Sequence, residues 1–210
     1  MTRAALMVIL VICFGFIGCS EPVEAQYLAF EQDGRRVEAT LVDGVYEVAL
    51  KATEFSIIPH PDLFEGDAFD SELGITVGRE TLLRPQVQKC QSLIDGPLFE
   101  ALNKYSVSTD PIATLFLDTP PRGGRFGWHG VGGEDPGVVD TGAITIKSII
   151  DLKNDRTEIL RAGEEIFLIS YDFPPASIFL SRPCDPPAGT DTSQGVVDPK
   201  RMQLWRLVFK

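Results

Sequence analysis

The residues best equipped for chemistry sit in a 24-residue stretch, Thr119 to Gly142, which holds eight Gly and three Pro and shows no periodic apolar pattern. Within it, Arg122-Gly123-Gly124-Arg125-Phe126-Gly127-Trp128-His129-Gly130 sets two guanidiniums, an indole and an imidazole on a loose backbone. Long stretches without structure of their own tend to be functional or disordered. Trp128 offers a face for stacking on a sugar or aromatic group, while Arg122 and Arg125 offer forks for a carboxylate or phosphate. His129, followed shortly by Glu134 and Asp135, supplies a potential general base with carboxylates near it in the chain. The competing reading is ordinary packing, in which Trp128 turns inward as an apolar plug and the glycines are slack.

Other reactive groups are sparse. Asp62, Glu65, Asp67 and Asp70 put hard oxygen donors in one acidic segment, but their order is not that of an EF-hand, and a solvated acidic loop accounts for them. The chain has only two His, His60 and His129, so a three-His zinc site cannot be built. No nucleophile elbow, phosphate-binding Gly-Lys-Ser/Thr, His-Glu-x-x-His or Cys-x-x-Cys string occurs. We therefore expect no metal and no cofactor.

The elements that must position these groups are strands. Short alternating runs are separated by turn pairs: Tyr27 to Phe30, then Asp33-Gly34, Arg35 to Val42, then Asp43-Gly44, and Val45 to Ala52. Asp-Gly between alternating runs signals a type I′ hairpin, because both central residues need positive φ. The spacing predicts a three-stranded meander over 27–52, with Tyr46, Val48 and Leu50 on its core face. Further strands are predicted at Phe55 to Ile58, Leu73 to Val77, Ile112 to Leu117, Ala143 to Leu152, Thr157 to Leu160, Glu165 to Tyr171, Ser177 to Ser181 and Met202 to Phe209. Asp95-Gly96-Pro97 followed by Leu98, Ala101, Leu102 and Tyr105 at helical spacing predicts a short helix, and 86–94 is ambiguous. The expected fold is mostly β: an antiparallel sandwich or open barrel of about ten short strands with one or two short helices.

Charge narrows the partners. The chain carries 19 Lys plus Arg against 30 Asp plus Glu, a formal net charge of −11. A phosphate backbone is repelled by that balance, so no nucleic-acid partner is expected. Anionic lipid surfaces are disfavoured for the same reason.

The first twenty residues carry an address. Arg3, an apolar run from Ala4 to about Ile17 and a small residue at Gly18 fit a secretory signal. The string Phe16-Ile17-Gly18-Cys19 resembles a bacterial lipobox, in which the Cys is diacylated and the signal is cut before it. That resemblance to bacterial membrane lipoproteins covers about twenty residues and implies lipid attachment at Cys19. Two or more acyl chains make anchoring stable where one alone is marginal. Ser20, in place of the Asp often found when such proteins stay at an inner membrane, implies the outer membrane, facing the periplasm. The expected organisation is signal peptide 1–18, lipidated tether 19–26 and one β-rich domain 27–210.

Of the four Cys, Cys13 then leaves with the signal and Cys19 is acylated, so Cys90 and Cys184 remain in an oxidising compartment and are expected to pair. A loop that long implies on the order of 4 to 5 kcal/mol of stabilisation in the chain-entropy model. The alternative, Cys90 as a thiolate activated by His60 or His129, is incompatible with a bridge. The expected function is a noncatalytic, lipid-anchored envelope module that binds or assembles with an envelope protein or glycan. The alternatives are a hydrolase or saccharide-modifying enzyme using 119–142, and a structural accessory subunit of an envelope complex.

Overall fold

The computed structural model describes residues 26–60, 72–83, 91–92, 104–110, 125–128, 142–173, 188, 196–197 and 202–210. In chain order the strands are β1 (Leu28–Gln32), β2 (Arg35–Val37), β3 (Ala39–Val42), β4 (Val45–Leu50), β5 (Phe55–Pro59), β6 (Glu72–Gly78) and β7 (Gln91–Ser92). They continue with β8 (Tyr105–Asp110), β9 (Arg125–Trp128), β10 (Ile144–Asp151), β11 (Arg156–Ile159), β12 (Glu165–Phe173), β13 (Val196–Val197) and β14 (Met202–Phe209). One six-stranded sheet runs β11-β10-β5-β1-β2 with β8 also on β10, and the other runs β3-β4-β14-β12-β6-β9. Strands β7 and β13 pair separately. The result is an open β-sandwich, and no described residue is helical.

Both Asp-Gly pairs form the turns their chemistry demands. Asp33 and Gly34 have φ of 53° and 70°, and Asp43 and Gly44 have 50° and 81°. They close the hairpins β1–β2 at Gln32↔Arg35 and β3–β4 at Val42↔Val45. The expected meander needs correcting, however. The run Arg35 to Val42 breaks at Glu38, so β2 belongs to one sheet and β3 to the other. A flat meander would carry Phe30 and Val48 in a single layer. Breaking at Glu38 instead stacks the Leu28 and Phe30 face over Tyr46, Val48 and Leu50, and both apolar faces are buried together.

The core between the sheets is aromatic at its centre. Trp205 stacks on Tyr46 with ring centroids 4.6 Å apart and meets Phe30 at 5.3 Å, while Phe55 meets Phe209 at 5.9 Å. The fully buried Trp205 satisfies its indole by donating from Nε1 to Ser170 Oγ at 2.7 Å. Strands β12 and β14 lie inside their sheet and are buried on both faces, Val45, Phe167, Ile169, Tyr171 and Leu204 forming a second apolar cluster on the outer side. That explains their near-continuous apolar runs. Gly74 is required beneath this cluster: a Cβ there would stand 2.2 Å from Cε2 of Tyr171.

Three further differences from the sequence expectations emerge. The last strand, β14, inserts between β12 and β4 and runs parallel to β4, from Leu204↔Val45 to Phe209↔Leu50. Tyr105 opens strand β8 rather than closing a helix, and alternation through Val107 and Thr109 carries it along β10. The stretch 119–142, read as lacking structure, contains β9, paired with β6. The rest of the expected helix, 95–103, the ambiguous stretch 86–94 apart from the strand Gln91–Ser92, and the expected strands 112–117 and 177–181 lie outside the described residues.

Candidate functional site

Trp128, the first sequence candidate, is part of the core. It is 0% exposed, pairs with Leu73 in the ladder and donates from Nε1 to the Gly142 carbonyl at 2.6 Å. An indole with no accessible face cannot stack on a ligand, so the binding reading of Trp128 is corrected in favour of the inward plug. Arg125 stands opposite Thr76 on the edge strand β9. Arg122, His129, Glu134, Asp135, Cys19, Cys90, Cys184 and the acidic segment Asp62, Glu65, Asp67 and Asp70 lie outside the described residues. His60 directly follows β5, its amide donating to the Tyr27 carbonyl at 2.9 Å. Among the described residues no three His, Cys, Asp or Glu side chains converge on a metal position.

A concavity among the described residues lies elsewhere, at the pole where β1, β4 and β14 end. A notch of about 570 Å³ is lined by Gln32, Asp33, Arg35, Arg36, Val37, Ala49, Leu50, Lys51 and Lys210. Its position follows from the break at Glu38. Strand β3 pairs with β4 only as far as Ala39↔Val48, so β4 runs on past its neighbour while β2 departs toward the other sheet. The gap left between β2 and the end of β4 is the notch.

Its walls are fixed by one side chain. Gln32, only 8% exposed, accepts from Lys51 N at 2.7 Å, and the two hydrogens of its Nε2 are shared among Lys51 O at 3.1 Å, Thr53 Oγ1 at 3.1 Å and Glu54 O at 3.2 Å. A buried carboxamide satisfied in this way ties the end of β1 to the turn after β4. Lys210 N donates to Leu50 O at 2.8 Å and joins β14 to the same rim.

The charge distribution sets the notch apart. Across the described surface Arg79 pairs with Glu158 and Glu164, Lys104 with Glu80, Lys147 with Asp110, Arg156 with Glu158, and Arg206 with Glu47 and Glu165. The hydrogen bonds Arg206 donates to Glu165 and Glu47 hold it above its ordinary pKa, and the hydrogen bond from Arg156, aided by the charge of Arg79, holds Glu158 below its own. In the notch Lys51 pairs with Asp33, the one acidic side chain in the lining. Arg35, Arg36 and Lys210 make no ion pair among the described residues, and neither do Lys153 and Arg161. Arg36 stays unpaired even though Glu31 is its partner in the β1–β2 register. In a chain of net charge −11, a concave site with three unpaired cations focuses a local positive field.

Searches against protein-family models and against curated proteins found no match for this chain. The geometry of the notch therefore carries the functional reading.

Proposed function

We propose that this protein is a lipid-anchored component of the bacterial envelope whose β-sandwich is a noncatalytic binding module, with the cationic notch as its contact site. The single observation behind the contact site is the group of unpaired cations, Arg35, Arg36 and Lys210, in a preformed concavity of an otherwise acidic chain. The anchor rests on the Phe16-Ile17-Gly18-Cys19 string, with acylation at Cys19, and on Ser20 for the outer membrane. Cys90 and Cys184 belong to the same proposal as a disulfide formed after export. The saccharide-modifying alternative loses its stacking platform, because Trp128 has no exposed face.

Membrane fractionation of Cys19→Ser tests the anchor: the variant is expected in the soluble fraction at high salt, and its continued sedimentation with membranes would show the anchor assignment to be wrong. Affinity capture from detergent-solubilised membranes tests the module. A stoichiometric partner retained by the wild type and lost from Arg35→Glu/Arg36→Glu is the expected result. Equal recovery by both would remove the notch from the function.

A further inference from the structure

The lining of the notch is specific enough to indicate what it receives. Its charged lining is mostly cationic, with a small apolar contribution from Val37 and Ala49, the Leu50 side chain being turned into the core. No aromatic side chain lines it, so it lacks the flat face on which a sugar ring stacks. Backbone polarity adds a third feature. The Leu50 carbonyl is taken by Lys210 N on the β14 side, so by strand alternation the amide and carbonyl of Ala49 face the opposite way. On that side the next residue to face the same way, Lys51, just past the end of β4, is capped by Gln32, which accepts from its amide and donates to its carbonyl, so the edge of β4 is closed there. In the β1–β2 hairpin the pair Gln32↔Arg35 flanks the two-residue turn and bonds across it, which turns the peptide groups of Arg36 away from β1.

We infer that the notch is a docking site for an acidic, extended segment of another polypeptide. Glutamate or aspartate side chains of that segment meet Arg35, Arg36 and Lys210, an aliphatic side chain covers Val37, and its backbone runs along the edge strand β2. This inference rests on the notch being the contact site proposed above. The position of the notch favours a protein over a membrane surface. The tether joins the domain at Tyr27, before β1, whereas the notch lies beyond Gln32 at the other end of that strand, ~15 Å along it. The site thus faces away from the pole nearest the anchor.

The test uses the full lipidated chain in neutral detergent micelles and a fluorescent peptide of alternating Glu and Val, read by anisotropy at low and high salt. The expected result is saturable, salt-sensitive binding that weakens roughly tenfold in Arg35→Glu/Arg36→Glu, with an unchanged circular dichroism melt for that variant. The matching Lys and Val peptide is expected not to bind. No saturable binding of the acidic peptide, or equal binding by the double variant, overturns the inference. Displacement by oligogalacturonate or glycerol phosphate as effective as that by unlabelled peptide also overturns it, in favour of a glycan or a lipid headgroup. Should the peptide fail while membrane capture still depends on Arg35 and Arg36, the inference falls and the binding-module proposal stands.

Discussion

Strands β2 and β9 invite comparison. Each is a short edge strand that begins with an arginine, Arg35 in one sheet and Arg125 in the other. By residue type β9 is the more reactive, since it leads through Phe126 and Gly127 to Trp128. The structure assigns the pair opposite characters. Trp128 is sealed into the core, while β2 leaves Arg35 and Arg36 exposed beside a concavity. The contrast teaches that reactivity is conferred by what a side chain is paired with. An indole that has found an acceptor and an apolar neighbour is structural, and a guanidinium without a carboxylate is available.

The contrast is broken most severely through Trp128. Replacing this buried indole by Ala is expected to lower unfolding stability by about 3 to 5 kcal/mol, measured by equilibrium urea denaturation. A loss below about 1 kcal/mol would mean that Trp128 is not part of the core. A smaller effect concerns a cation committed to structure. Arg79, just after β6, reaches Glu158 on β11 and so links the two sheets. Because the Arg156 hydrogen bond, with the charge of Arg79 behind it, depresses the folded-state pKa of Glu158, its contribution is present above the ordinary glutamate value and lost as pH falls through the folded one. Wild-type stability is therefore expected to fall more steeply than that of Glu158→Gln below about pH 4, and parallel curves would show the ion pairs of Glu158 with Arg156 and Arg79 to be inert. The smallest effect belongs to the notch. Arg35→Ala/Arg36→Ala is expected to change stability by no more than about 0.5 kcal/mol, and a larger loss would make those arginines structural.

Much of the fold is legible in local chemistry. The Asp-Gly pairs announce their turns because positive φ at both central positions leaves few other options. The alternation of Tyr46, Val48 and Leu50 marks a core face, and the long apolar runs of β12 and β14 mark strands buried on both sides. Other features depend on contacts distant in sequence. Tyr105 matches helical spacing with Leu98 and Ala101, yet its own alternation with Val107 and the waiting edge of β10 decide its conformation. Strand β9 is four residues long, too short to display a period.

The notch is the least legible feature of all. Arg35 and Arg36 are visible as a basic doublet, but Lys51 and Lys210 join them only because β14 pairs in parallel with β4 and the two strands end together. The break at Glu38 that opens the gap is likewise a choice between one layer and two, made by the burial of Phe30 against Trp205 and Tyr46. No spacing along the chain encodes either event.

The most direct measurement sets two charge-matched variants side by side, Arg35→Glu/Arg36→Glu and Arg122→Glu/Arg125→Glu. Both change the net charge equally, so a difference in affinity for the alternating Glu and Val peptide reports position alone. We expect the first variant to bind roughly tenfold more weakly than wild type and the second to stay within about twofold. An equal loss in both, or a larger loss in the second, would contradict the assignment of binding to the notch.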